Sequence, residues 1–271
     1  MSNTKTDHLS ESGHWYDYKG NAKYTLIGKN GKERNTTLRD ARKLILVPSV
    51  TGILGIAAKP GLVNWMIDQG ISAALTLQRL EGESDYDFLN RVKLDSKEQG
   101  MKAAELGTII HADIERGFKG QNTKPYLAVR KILDDMFPNE EWVAEGSFCH
   151  TSGYGGKIDL HSNNGIFVDF KTKDNLEGKD GARLVYDEHG MQLSSYAQGI
   201  GIVNPKRVSI FIDRLNTELI VSHVWDPDTH TRHLAMFNSL LTYWKLLKKY
   251  DPSEEITLLK LEAHLKLKEN K

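Results

Sequence analysis

The chain has 271 residues, of which 39% are hydrophobic, 8% aromatic and 27% charged; this composition supports a sizeable packed core and excludes a mainly disordered or collagen-like protein. No apolar run approaches the roughly 18 residues of a membrane span. The single cysteine, Cys149, excludes an intramolecular disulfide, a four-cysteine zinc site and an all-cysteine iron–sulfur cluster. Lysine and arginine together number 36, as do aspartate and glutamate, so a nucleic-acid partner would have to be bound by local positive patches.

The first part of the chain is predicted to contain strands and short helices. Residues 1–14 are polar and lack the apolar stretch of a secretion signal, so we expect a flexible terminus and a cytoplasmic protein. Residues 15–37 have a strand-like pattern, and the turn Lys29-Asn30-Gly31-Lys32 predicts a hairpin. Thr37 followed by Asp40 is typical of a capping box and predicts a short helix through Lys43.

Helical periodicity and capping residues predict further helices up to residue 136. A short one is capped by Ser49 or Thr51, and a longer one begins at Pro60 and Gly61 and runs toward Leu80. The other two cover 86–118, with a break near Gly100, and 124–136.

The pattern changes at residue 141, after which strands and helices alternate. Three short strands are predicted at 142–148, 157–161 and 166–171, followed by a polar stretch to 190. The remaining elements are a helix at 191–203, a strand pair at 207–213 and 218–225, and helices at 229–249 and 254–268. This order predicts an α/β or α+β fold with a mixed central sheet flanked by helices and a helical N-terminal half.

Two predicted strands bring acidic residues together. Strand alternation puts Lys157, Asp159 and His161 on one face, away from Ile158 and Leu160. With a three-residue loop at 163–165, Asp159 lies opposite Asp169, their Cβ atoms about 5 Å apart; a two-residue loop would shift the pairing by one. Carboxylates at that range repel each other, and a divalent cation or the neighbouring Lys171 would compensate. A solvated hairpin face is the alternative interpretation, and it also fits Glu145 on the preceding strand.

Asp159, nine further residues and then Asp169-Phe170-Lys171 resemble the signature of the PD-(D/E)XK nuclease superfamily, although Ile158 stands where the superfamily has proline. Other segments resemble its RecB-like exonuclease branch, which includes the mitochondrial genome-maintenance exonuclease. These segments are Leu106-Gly107-Thr108-Ile109-Ile110-His111, Gln192-Leu193-Ser194-Ser195-Tyr196 and Pro48-Ser49-Val50-Thr51-Gly52-Ile53-Leu54. The hairpin followed by 37–42 resembles bacteriophage-encoded members, whereas relatives with an iron–sulfur cluster do not match the single cysteine.

The resemblance implies a restriction-endonuclease-like core and a Mg²⁺ or Mn²⁺ ion. The implied ligands are side chains of His111, Asp159 and Asp169 and the carbonyl of Phe170, a donor set that suits these ions. It further implies that Lys171 positions the attacking water and offsets charge in the transition state. Gln192 and Tyr196 would orient Lys171 or a DNA phosphate. Because this centre is acidic, DNA also needs a basic rim, for which the candidates are Lys157, Lys173, Lys179 and Arg183.

The function that follows from the resemblance is a metal-dependent DNA exonuclease in phage DNA recombination, repair or replication, located in the host cytoplasm if phage-encoded. Alternatives are a nuclease-fold protein that binds DNA or a partner without cleavage, and a structure-specific endonuclease. The expected partners are DNA and a single-strand-binding or annealing protein, with no membrane.

We expect one compact domain that comprises a terminus (1–14), an N-terminal hairpin and helical region (15–105), a nuclease core (106–226) and C-terminal helices (227–271). Residues 172–190 form a long, weakly periodic stretch with few apolar residues, so we expect them to bury little surface. They are predicted to form a mobile DNA-contacting flap, or else a surface insertion.

Overall fold

The computed structural model describes residues 13–269, so residues 1–12 of the predicted flexible terminus lie outside the described part. No helix between residues 13 and 269 is both long and apolar enough to cross a membrane. The strands of this part are β1 (Trp15–Tyr16), β2 (Thr25–Ile27), β3 (Glu33–Asn35), β4 (Val47–Pro48), β5 (Trp142–His150), β6 (Tyr154–Ser162), β7 (Ile166–Lys173), β8 (Lys206–Asp213) and β9 (Ile220–Val224). Its α-helices are α1 (Leu38–Leu44), α2 (Val50–Leu54), α3 (Pro60–Thr76), α4 (Asp85–Phe118), α5 (Lys124–Met136), α6 (Asp187–Gly199), α7 (Thr229–Lys248) and α8 (Ser253–Glu269).

The central sheet has five strands in the order β5-β6-β7-β8-β9. Strands β7 and β8 are parallel, and the other neighbours are antiparallel. A parallel pair needs a long crossover connection, and here α6 lies within it. This mixed sheet confirms the predicted α/β (α+β) fold class and is consistent with a nuclease-like core.

Local capping signals in the N-terminal part act as predicted. Strands β2 and β3 form the expected hairpin. The Thr37 side chain accepts a hydrogen bond from the Asp40 amide, and the Asp40 carboxylate accepts one from the Thr37 amide, which completes the capping box of α1. Ser49 caps α2 by accepting a hydrogen bond from the Gly52 amide at 2.9 Å.

The sheet is covered on both faces. One hydrophobic core, here called the α6-side core, packs residues of α2, α6 and α7 against the sheet, among them Ile53, Phe148, Phe167, Leu193 and Phe237. The second, called the α4-side core, packs α4 and α5 against the other face and includes Ile110, Ile114, Val129, Leu160, Val168 and Ile210. Side chains on both faces of the central strands therefore lie under helices.

A buried arginine joins α6, β8 and α7. One Arg207 nitrogen donates to Ser194 Oγ and to His233 Nδ1, both at 2.9 Å. The other donates to the Asp226 carbonyl and to Thr229 Oγ1, both at 2.8 Å. Because the side chain of Arg207 is fully buried, these bonds are shielded from water: the one to Ser194 fixes α6 relative to the sheet, and the others fix the start of α7.

The predicted helices differ from the observed ones at four points. Helix α4 runs without a break through Gly100. A single glycine costs only about 1 kcal/mol within a helix, and this one lies beside the Trp65 ring of α3. Helix α3 ends at Thr76 rather than Leu80. Helix α6 begins at Asp187 rather than at 191, and it ends at Gly199 rather than at 203.

Candidate active site

The predicted site lies where α6 crosses β7. Asp169, Lys171 and Lys173 alternate along β7 and therefore point to the same face of the sheet. Helix α6 covers that face, and Asp169 is only 1% exposed. The alternative interpretation, a solvated hairpin face, is therefore wrong for Asp169. A carboxylate buried this deeply needs charged or hydrogen-bonding partners.

Those partners are Lys171, on the same strand, and Gln192, on α6. The Lys171 ammonium lies 2.6 Å from Asp169 Oδ2 and donates to Oδ1 at 2.8 Å and to Gln192 Oε1 at 3.2 Å. Gln192 Nε2 donates to Asp169 Oδ1 at 2.8 Å and to the Tyr196 hydroxyl at 3.0 Å. The i, i+4 spacing of Gln192 and Tyr196 puts both on the side of α6 that faces β7. The structure thus brings four predicted site residues into one network.

The charges of this network depend on one another. Burial raises the pKa of Asp169, and the ammonium of Lys171 opposes that rise. For Lys171, burial lowers the pKa, but the carboxylates of Asp169 and Asp159 outweigh it and the pKa is raised. Burial, together with the same two carboxylates, also raises the pKa of Tyr196. At neutral pH, Lys171 is therefore a cation and Tyr196 a neutral phenol.

The predicted register of β6 and β7 is confirmed, but its consequence for Asp159 is different. The strands are joined by a three-residue loop, and Leu160 pairs with Val168. The pairing ends there, and Asp159 Oδ2 accepts a hydrogen bond from the Phe170 amide at 3.0 Å. Asp159 thus binds the backbone of β7 beside Asp169 instead of facing it across a regular ladder.

The predicted alternation along β6 is wrong at the same point. Ile158 packs in the α6-side core, whereas Leu160 packs in the α4-side core. Opposite this segment, the pairing of β5 with β6 passes over Glu145, whose φ of 62° lies in the left-handed region. The register is the same on both sides of Glu145, so no residue is inserted there. At this unpaired step Ile158 and Leu160 lie in different cores, and the Asp159 carboxylate reaches the Phe170 amide.

His111 reaches this region from α4. Gly107, one turn earlier, lies against Thr172, since a Cβ at that position would be 2.9 Å from the threonine hydroxyl. This close approach of α4 to β7 leaves His111 Nδ1 3.9 Å from Asp159 Oδ2. The His111 side chain is 38% exposed. The predicted histidine is therefore beside the carboxylates, though outside hydrogen-bond range.

The donor types at this position suit a divalent cation. Asp169 Oδ2 is buried without a hydrogen-bond partner apart from the ion-pair contact with Lys171, and Asp159 and His111 add a second carboxylate and an imidazole. Oxygen donors with one imidazole fit Mg²⁺ and, better, Mn²⁺. In the described part of the chain, however, no three His, Cys, Asp or Glu side chains are arranged as a metal-binding group.

The four candidates for the basic rim lie in different environments. Lys157 is exposed and forms an ion pair with Glu145. Lys173 is half-buried on β7, and Lys179 and Arg183 are exposed in the connection to α6. That connection covers only 174–186, because β7 extends through Lys173.

The connection also buries more than its sequence indicates. Leu176 and Leu184 are buried against Phe211 of β8, and the Leu176 amide donates to the Asp213 carboxylate at 3.0 Å. The prediction that residues 172–190 bury little surface is therefore wrong. Whether this segment contacts DNA stays a prediction.

Three residues around the site were missed from the sequence: His189, Tyr186 and Lys59. His189 is buried beside Lys171, and burial and that ammonium lower the pKa of its imidazole to about 4. Its position three residues before Gln192, on the same helical face, was a signal that could have found it. Lys59, just before α3, forms an ion pair with Glu188 at 2.6 Å. No local pattern in the sequence indicates that contact.

Comparison with known proteins shows only a distant similarity between this structure and solved structures. No protein-family model matches the chain, and no curated protein matches it. Its structure is similar to that of an alkaline exonuclease (LHK-Exo) from Laribacter hongkongensis, with 12% identity and a TM-score of 0.40 over 80% of this chain and 92% of that chain. LHK-Exo in complex with dAMP gives 13% identity and a TM-score of 0.40 over 79% and 91%. Identity and superposition are both too low to show a shared family or activity.

Proposed function

We propose that this protein is a metal-dependent nuclease that hydrolyses phosphodiester bonds of DNA from an end. The observation that carries the proposal is the buried network of Asp169, Lys171, Gln192 and Tyr196, with Asp159 bound to the adjacent backbone. A carboxylate buried with a lysine as its counter-charge is costly for folding alone. Such a group is better explained by chemistry at an anionic substrate.

Each residue has a role that follows from its position. Lys171 is held as a cation with part of its side chain exposed, so it can bind a phosphate oxygen and offset the charge that develops during hydrolysis. Gln192 bonds to both Asp169 and Lys171 and fixes their separation. Tyr196 holds Gln192 in turn. The network therefore supplies a preorganised cation rather than a flexible one.

The residues that would hold Mg²⁺ or Mn²⁺ are Asp159, Asp169, His111 and the Phe170 carbonyl. A bound ion of this class polarises the phosphate and lowers the pKa of a water ligand. The chain's own contribution is to keep Asp159 in place through the Phe170 amide and to keep His111 near it through α4. Removal of the ion with EDTA should then abolish hydrolysis and leave the fold intact.

The decisive experiment is digestion of linear DNA labelled at the 5′ or 3′ end, single- or double-stranded, with Mg²⁺, Mn²⁺ or EDTA. We expect metal-dependent release of nucleotides and no attack on covalently closed circular DNA. Cutting of the closed circle would indicate a structure-specific endonuclease instead. The Lys171→Met variant, which removes the proposed catalytic cation, is the negative control and should release no nucleotides.

A second candidate is a protein that binds DNA or another partner without cleavage. The observation that favours it is that Lys171 already pairs with Asp169, so that carboxylate is not free in the described geometry. Metal-independent DNA binding together with no hydrolysis in Mg²⁺ or Mn²⁺ would support this candidate.

A further inference from the structure

One aromatic side chain stands exposed beside the proposed centre. Tyr186 immediately precedes α6 and is 50% exposed. Its hydroxyl lies against Gly61 of α3, where a Cβ would be 3.0 Å away, and the ring of His189 lies 5.6 Å from its own at 69°. The side chain of Tyr186 therefore lies against α3 and His189, while half of it stays accessible.

A lysine lies over the same ring. The Lys173 ammonium is 5.0 Å from the centre of the Tyr186 ring and 5.9 Å from that of Phe211. Within residues 13–269 no carboxylate lies within ion-pair distance of it. The adjacent Asp174 is engaged by Arg214 at 2.6 Å.

Among the described residues 13–269, the Lys173 ammonium has no counter-charge, in contrast to two other lysines of the site. Lys171 is paired with Asp169, and Lys59 with Glu188. Burial lowers the pKa of Lys173, and the positive charges of Lys179 and Arg214 lower it further. A half-buried ammonium in a positive environment is stabilised when an anion binds.

Lys173 also has a defined position relative to the proposed centre. It lies two residues after Lys171 on the same face of β7, a rise of about 6.6 Å. This step is comparable to one nucleotide of an extended strand. A strand that places one phosphate at Lys171 can therefore place the next at Lys173.

We propose that Tyr186 and Lys173 form a nucleotide-binding subsite for single-stranded DNA. An unpaired base stacks on the accessible part of the Tyr186 ring, and the Lys173 ammonium pairs with the phosphate next to the one at Lys171. Stacking on an aromatic ring needs a base without a pairing partner, and it tolerates any base. The subsite therefore selects single-stranded ends without selecting sequence. This inference rests on the proposed function, because it assumes that DNA enters at Lys171.

The test uses the full chain in EDTA, where nothing is cut, with a single-stranded oligonucleotide that carries 2-aminopurine near one end. Wild type and Tyr186→Phe should bind equally and quench the fluorescence, because both present a ring. Tyr186→Leu should lose most of the quenching and bind about tenfold more weakly. Tyr243→Leu is the matched control, since Tyr243 of α7 is 55% exposed, and it should bind like wild type.

The charge is tested separately. Lys173→Gln should lower the slope of log affinity against log salt by about 0.7, the value for one phosphate contact on a single strand. Lys131→Gln, at an exposed position of α5, should leave the slope unchanged. A duplex without unpaired bases should distinguish Tyr186→Leu from wild type much less than the single strand does.

The outcomes separate this inference from the proposed function. If wild type hydrolyses DNA but Tyr186→Leu and Lys173→Gln bind the oligonucleotide like their controls, the subsite is refuted and the nuclease stands. If both variants weaken binding but wild type cuts nothing, the subsite stands and hydrolysis is refuted. If wild type neither binds nor cuts, both are refuted.

Discussion

Replacement of Asp169 by asparagine should destabilise the protein, in contrast to what the sequence indicates. From sequence, two opposed carboxylates repel, so removal of one charge would relieve strain. In the structure, Asp169 is the buried partner of the Lys171 ammonium at 2.6 Å and accepts from Gln192 at 2.8 Å. The substitution therefore leaves Lys171 without its counter-charge.

The size of the effect follows from burial. Breaking a buried ion pair from one side costs about 3–5 kcal/mol. Lys171 is 29% exposed and keeps its bond to Gln192, so we discount this to about 2 kcal/mol. For a chain of this size, that corresponds to a melting temperature lower by about 4–8 °C.

The assay is thermal unfolding of wild type, Asp169→Asn and the double variant Asp169→Asn/Lys171→Met. Replacing both partners removes the unpaired charge, so the double variant should regain most of the lost stability. Both variants should lack hydrolysis. The reasoning is refuted if Asp169→Asn melts with wild type, or if the double variant is less stable than the single one.

Three further predictions concern other parts of the chain. His111→Ala should raise the Mn²⁺ concentration needed for half-maximal hydrolysis. Because the side chain is 38% exposed, the free energy of unfolding should change by less than about 0.5 kcal/mol. Lost stability with an unchanged metal requirement would show a packing role instead. Gly199→Ala should cost about 2 kcal/mol in urea unfolding, because a Cβ there would overlap the Phe148 ring; a variant as stable as wild type would contradict this contact. The hydrogen bond from Arg34 holds the pKa of Asp40 well below its usual range. The stability advantage of wild type over Asp40→Asn should therefore be complete above about pH 5 and shrink as the pH falls below about 4. An advantage that does not change with pH would exclude this linkage.

Much of the fold and of the site could be predicted because the signals are local. The capping box joins Thr37 and Asp40, three residues apart. The loop 163–165, in which Gly165 has a φ of 82°, sets the register of β6 and β7. The i, i+4 spacing of Gln192 and Tyr196 correctly put them on one face. These features depend on bond geometry over a few residues, which the sequence contains in full.

What the sequence could not decide was what lies on each face of the sheet. Strand alternation predicted that Asp169 faces away from the core residues Val168 and Phe170. Only the docking of α6, which the buried Arg207 fixes, shows that the face of β7 with Asp169 is buried as well. The interruption at Glu145 was also unpredictable, because the positive φ falls on Glu145 rather than on the adjacent Gly146, where a sequence would place it.

The sequence by itself therefore determined the elements, the strand register and the candidate set of charged residues. Tertiary structure alone decided that Asp169 is paired rather than repelled, that Asp159 binds the Phe170 amide, and that Tyr186 and Lys173 share one surface. The physical reason is that local signals act through hydrogen bonds between residues close in the chain. Burial and charge pairing depend instead on distances between segments far apart in sequence, which are set only when both faces of the sheet are packed.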